Sequence, residues 1–172
     1  MAENPYQYNT PVSYTGRFAG RDEAFAFVQS HLVGGHQRGA LVVLGPSQIG
    51  KSSFLRTLPS HLDERYCPVR LSLRAGTVAG EHAWLTALAE TVPQALAALG
   101  IQSARLPDLP GHPAELRQAL LGDYLTTGLR ALRRERHLLV LLDNAERLLT
   151  AVQGRALPRD TFQFLAQLLE AH

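Results

Sequence analysis

An α/β three-layer sandwich with a mostly parallel sheet is the fold this sequence predicts, and three observations predict it. The stretch Gly45-Pro46-Ser47-Gln48-Ile49-Gly50-Lys51-Ser52 joins a short apolar run, Ala40 to Leu44, to a helical pattern, Lys51 to Leu58. A second apolar run, Leu138 to Leu142, ends in the carboxylate of Asp143. Between the two, Cys67, Val69, Leu71 and Leu73 alternate with Pro68, Arg70 and Ser72, as in a strand with one polar-leaning face. Strands separated by helical patterns build parallel sheets with helices on both faces.

The first element justifies itself chemically. Gly45 and Gly50 allow backbone conformations closed to residues with a Cβ, so successive N–H groups of Gly45 to Ser53 can converge on phosphate oxygens. This is a phosphate-binding loop of the GxxxxGK[ST] type, the mark of a P-loop NTPase. Lys51 is the only lysine among 17 basic residues, a compact ammonium kept where a flexible point charge must reach β/γ oxygens. Ser52 would give its hydroxyl to Mg²⁺, and the helix that starts here turns its positive end to the anion. A Gly-rich turn joining strand to helix is the bland alternative, and the flanking elements argue against it.

The complementary half is the run ending at Asp143, because open α/β sheets place ligands at the carboxyl ends of their strands. Asp143 would hold magnesium, usually through water. Alone the pattern is weak, since many parallel strands end in Asp for turn chemistry.

The remaining elements follow in order. Residues 1–20 look extended, and 21–172 form the nucleotide-binding core. Arg21 to Val33 reads as a helix with Phe25, Val28 and Leu32 on one face, ended by Gly34 and Gly35. Glu81 to Val92 is a helix with Trp84, Leu85 and Leu88 as apolar contacts, ended or kinked by Pro93. Residues 102–113 are a Pro-rich loop. Ala114 to Arg134 is a long helix with Leu116, Leu120, Tyr124 and Ala131 in one stripe. After Pro158 and Asp160 comes a last helix with Phe162, Leu165 and Leu169 on one face.

Composition excludes several classes. The 172 residues are 45% hydrophobic and 19% charged, which suits one globular domain with a substantial core. A net charge of +2 gives no broad attraction for nucleic acid. Arg130, Arg133, Arg134 and Arg136 close a predicted helix, where cations complement the dipole; a partner or nucleic-acid patch is the other reading. Cys67 is the single cysteine, so no disulfide framework exists, and the seven histidines lack metal-ligand spacing. With no apolar leader and no run of membrane-spanning length, a cytoplasmic location is expected.

The order Asn4-Pro5-Tyr6, Pro11-Val12, Phe18-Ala19-Gly20-Arg21-Asp22-Glu23, the phosphate loop, then Leu141-Leu142-Asp143-Asn144-Ala145-Glu146 and a Leu-rich helix resembles the bacterial and archaeal STAND and AAA+ ATPases over nearly the whole chain. The resemblance implies ATP with Mg²⁺ as ligands. It also implies that the segment ahead of the phosphate loop folds over the adenine, which makes Tyr6, Val12, Gly20 and Arg21 base-side candidates. Gly20 and Arg21 could instead merely start a helix. Adenine is favoured further because no Asn-Lys-x-Asp guanine-reading element is present.

Two departures from the family pattern carry expectations. Where such ATPases place glutamate after the Mg²⁺-binding aspartate, this chain has Asn144, an amide that can position water but cannot accept its proton. Glu146 lies two residues on and need not face the same water. Firm nucleotide binding with slow hydrolysis follows. The family's strand order, 5-1-4-3-2, also puts the strand after the acid strand between it and the phosphate-loop strand, and the sequence stops before any such strand. A fragment, a truncated gene product, or half of a split ATPase that needs a partner is expected. A nucleotide-dependent switch controlling assembly with like subunits or attached domains is the favoured function; a motor or loader acting on DNA or protein, and a non-binding scaffold, are the alternatives.

Overall fold

The computed structural model describes residues 21–33, 40–98, 100, 108–122, 124 and 136–171. Two compact units make up the chain, residues 1–63 and 64–172.

In the first unit, α1 (Asp22–Val33) opens with Asp22 and Glu23, whose charges complement the helix dipole. Phe25 and Val28 are buried and Leu32 half-buried, the face read from the sequence. The Phe25 ring stacks on Phe54 of α2 (Lys51–Thr57) at 4.6 Å and on His61 at 3.9 Å. His61 ends a 3₁₀ turn, Leu58–His61, that continues α2, and its carbonyl accepts from the Gln29 side-chain amide. These contacts fix α1 against the helix that carries Lys51.

Ala40 to Leu44, expected to be a strand, is irregular and exposed, with Val42 at 73% and Leu44 at 86%. A strand exists only with a hydrogen-bonded neighbour. The two strands among the described residues pair with each other and leave this run without a ladder.

The second unit holds that pair. β1 (Tyr66–Ser72) and β2 (His137–Asp143) are parallel, in register from Tyr66 opposite His137 to Ser72 opposite Asp143. Cys67, Val69 and Leu71 are buried and their neighbours half-buried, so the alternation seen in sequence is a real two-faced strand. β2 reads as a continuous apolar run, yet of its residues only Leu141 and Asp143 are fully buried, because one edge alone is paired among the described residues.

The core lies where β1 meets α3 (Glu81–Ala98), α4 (Pro113–Leu121), α5 (Glu146–Gln153) and α6 (Thr161–Ala171). Trp84, Leu85, Ala89 and Leu96 of α3 meet Leu116 and Leu120 of α4, Leu148 of α5 and Phe164 of α6. On α6 the buried residues are Thr161, Phe164 and Leu168, while Phe162 is 45% exposed and Leu165 half-buried. Of the expected face, Phe162 turns outward, Leu165 packs partly buried against the core and the Leu169 side chain lies outside the described residues; Phe164 takes the buried position, since packing selects between the two helical faces the phenylalanines offer.

α3 runs on past Pro93 to Ala98, so of the two expectations for that proline the ending of the helix is not met. Proline removes the donor that would serve the Ala89 carbonyl one turn earlier. The buried Tyr124 hydroxyl donates to that carbonyl at 3.4 Å, and Val92 and Leu96 hold the helix in the core on either side. Burial, with Glu90 nearby, pushes the Tyr124 phenol up from its ordinary pKa, which keeps the donor in place. Tyr124→Phe is expected to cost about 1 kcal/mol, the value of a buried hydrogen bond whose acceptor is left behind; urea unfolding measures it.

The expected long helix after Pro113 is described as far as Leu121, with Gly122 beyond it and Tyr124 again helical. Arg130, Ala131, Arg133 and Arg134 lie outside the described residues. Arg117 of α4 ties three helices. It donates to Glu81 of α3 and in fork fashion to Asp160 ahead of α6, at 2.8 and 3.0 Å, with its guanidinium 5.0 Å above the Phe164 ring. Burial acts to lower the Arg117 pKa, but hydrogen bonds to Asp160 and Glu81 outweigh it and raise the group. The Arg117 hydrogen bond holds Asp160 below the ordinary carboxylate pKa. The folded value being the lower, this contribution is complete above the ordinary carboxylate range and is lost as pH falls through the lowered one. A thermal midpoint measured against pH should drop through that acidic window, and Asp160→Asn should flatten the drop.

Candidate functional site

The residues expected to bind phosphate stand together at the surface of the first unit. Gly45 to Ile49 are exposed, Gly50, Lys51 and Ser52 half-buried, and Ser53 buried beneath them. The loop is therefore open to a ligand from outside and anchored from within.

Two positions explain its glycines. Gly50 has φ +95° and ψ 17°, a left-handed conformation ahead of α2 that a side chain would strain. A Cβ on Gly45 would stand 3.1 Å from Ile49 Cγ2, a tight contact to which that side chain would have to yield. Gln48, between them, also has positive φ, +64°. With Gly50 accepting from the Phe54 amide at 2.8 Å, the chain passes directly into α2.

Lys51 Nζ donates to the carbonyls of Gly45 and Pro46, each at 2.8 Å. The ammonium thus lies across the mouth of the loop on two neutral acceptors, which several phosphate oxygens acting together would outcompete. Ser52 and Ser53 each have partners in the fold.

Arg21, a base-side candidate, donates from Nη2 to the Ile49 carbonyl at 3.1 Å, which places its cation on the phosphate loop itself. The other three base-side candidates, Tyr6, Val12 and Gly20, lie outside the described residues. Sequence reading missed a groove of about 560 Å³ beside the loop, lined among others by Arg21, Phe27, Leu41, Val43, Gly50 and Lys51. Its size suits a small-molecule ligand. Phe27 is 56% exposed and lies 4.3 Å from the His31 ring, a half-bare aromatic beside a phosphate loop. The available signal was its place off the Phe25, Val28, Leu32 stripe.

The acid half belongs to the second unit. Asp143 ends β2, is 4% exposed, and passes its carbonyl to the Leu73 amide at 2.9 Å, which extends the ladder beyond Ser72. Arg70 Nη2 lies 2.5 Å from Asp143 Oδ2. Sequence reading did not foresee this ion pair. Asn144 follows in the left-handed region, φ +62°, with its carbonyl accepting from the Arg147 amide at 3.0 Å. Asparagine tolerates that conformation better than glutamate does, so the turn itself favours the residue found. Glu146 is exposed in the first turn of α5, its carbonyl held by the Thr150 hydroxyl at 3.1 Å.

The oxygen donors expected on the metal side, the Ser52 hydroxyl and the Asp143 carboxylate, are hard ligands of the class magnesium takes. Among the described residues no cluster of three or more His, Cys, Asp or Glu side chains could enclose a metal. Magnesium needs only one or two protein oxygens when phosphates and water complete its octahedron, and Ser52 and Asp143 are of that kind. Among the described residues no helix is long and apolar enough to cross a membrane.

A family model described as an AAA ATPase domain matches residues 17–172, and the chain belongs to that family. Its α/β fold is of the P-loop type, a nucleotide-binding fold. No curated protein and no solved structure matches the chain.

Proposed function

We propose that this AAA ATPase domain binds ATP with Mg²⁺ and acts as a nucleotide-dependent switch of the STAND type, hydrolysing ATP slowly, in the cytoplasm. The observation that carries the proposal is Asn144 in a left-handed turn directly after Asp143. A residue here in related ATPases would take a proton from the attacking water, and an amide cannot. Gly45 to Ser53 would hold the phosphates, Lys51 exchanging its two carbonyl partners for phosphate oxygens, with Ser52 and Asp143 as the metal-side oxygens. The bound ion would draw negative charge from the β and γ phosphates.

The groove supports a base-side role for the surface around Arg21, with Phe27 offering a ring face to a purine. Nucleotide would then order the loop and the segment before α1, and pass that change to like subunits or attached domains.

Affinities for ATP and ADP with and without Mg²⁺, taken with turnover on the same sample, test the reading. Tight binding with slow turnover is expected. Tight binding with ordinary ATPase rates would make the protein a motor or loader instead, and absence of binding a scaffold. Asn144→Glu should raise turnover, while Asn144→Gly should not. Glutamate in the left-handed region should also cost about 1 kcal/mol of stability, read by urea unfolding. Unchanged turnover in a folded Asn144→Glu protein would remove the missing base as the cause of slowness.

A further inference from the structure

We propose that Arg70 is an internal counter-ion that Mg²⁺ must displace from Asp143, so that Arg70 sets the metal concentration at which nucleotide is gripped. The inference rests on the assignment of Asp143 as a metal-side carboxylate.

Register places the pair. Asp143 stands opposite Ser72, and Arg70 opposite Leu141, so Arg70 and Asp143 are diagonal neighbours on one face of the parallel pair. A diagonal of this kind is within reach of a long side chain. The Asp143 side chain is 5% exposed and that of Arg70 29%. A carboxylate so deeply placed needs a compensating charge, and Arg70 brings one to Oδ2 at 2.5 Å.

Arg70 Nε is buried with no hydrogen-bond partner, although a guanidinium offers five donors. The side chain stays partly open to water, so the attraction to Asp143 is the protein interaction that holds its charged end. A hydrated divalent cation approaching that carboxylate meets a like charge already seated on the oxygen. The metal-loaded and ion-paired states compete for one group, while the ion pair keeps Asp143 compensated when no metal is present.

The test is a Mg²⁺ titration of nucleotide binding, followed with a fluorescent ATP analogue on the full chain, for the parent, Arg70→Gln and Arg70→Lys. Arg70→Gln should lower the half-saturating Mg²⁺ concentration about tenfold, the smaller end of what a hydrogen bond to a charged group contributes. Arg70→Lys should fall between, and it decides the matter if the glutamine variant does not fold. An unchanged or raised midpoint in a folded variant overturns the proposal. In an Asp143→Asn background Arg70→Gln should no longer shift the midpoint; a shift of the same size there also overturns it. MgCl₂ alone, without nucleotide, should raise the thermal midpoint of Arg70→Gln more than that of the parent. This last measurement separates the two claims: if no variant binds nucleotide at any Mg²⁺ concentration, the assignment of the site fails, while equal metal-only shifts in parent and variant sink the role of Arg70 by themselves.

Discussion

Lys51→Ala should lower affinity for ATP by about thirtyfold or more, since removing one partner of a hydrogen-bonded charge pair costs about 2–5 kcal/mol. The fold around it should survive. Nζ is bound only to the Gly45 and Pro46 carbonyls of its own exposed loop, and the turn into α2 is closed by the Gly50 to Phe54 backbone hydrogen bond. Calorimetry with Mg·ATP should therefore show the loss while the unfolding midpoint stays near the parent value. Full retention of triphosphate affinity in the variant would remove the loop from the binding site. A loss shared equally by adenosine and ATP would place the defect outside phosphate recognition.

Asp143→Ala should do two things at once. It should weaken the Mg²⁺-dependent part of nucleotide affinity, leaving a residual metal-free component. It should also destabilise the second unit by about 2 kcal/mol, because the substitution leaves the half-buried Arg70 guanidinium without its carboxylate. The figure is set below that for a fully buried pair because water still reaches Arg70. Urea unfolding with and without Mg²⁺ reads both effects. The double variant Asp143→Ala, Arg70→Ala should regain part of the lost stability, as expected when the penalty comes from a stranded charge. A single variant as stable as the parent and as strongly Mg²⁺-dependent would refute both roles.

Much of this was legible in the chain because local chemistry wrote it. The alternation of Cys67, Val69 and Leu71 made β1, and the run into Asp143 made β2. Gly45 and Gly50 announced a loop whose backbone only glycine permits at those points. What stayed hidden depended on partners far along the chain. Arg70 and Asp143 are 73 residues apart and meet only through strand register. Pro93 looks like a helix terminator until Tyr124, from another element, supplies the missing donor. Ala40 to Leu44 has strand composition, but a β ladder is a property of two segments, and the described fold provides none for it. Likewise the choice between Phe162 and Phe164 is made by the core and not by α6 itself.

The twin carbonyl grip on Lys51 has a consequence for selectivity. A cation already resting on two uncharged oxygens at 2.8 Å has little appetite for a weak or singly charged anion, because the exchange returns about what it gives up. Chloride and acetate should leave the loop as it is. Only a chain of linked phosphoryl groups, presenting several anionic oxygens together, would offer enough to pry the ammonium loose, so the loop would screen its visitors before any contact with a base is made.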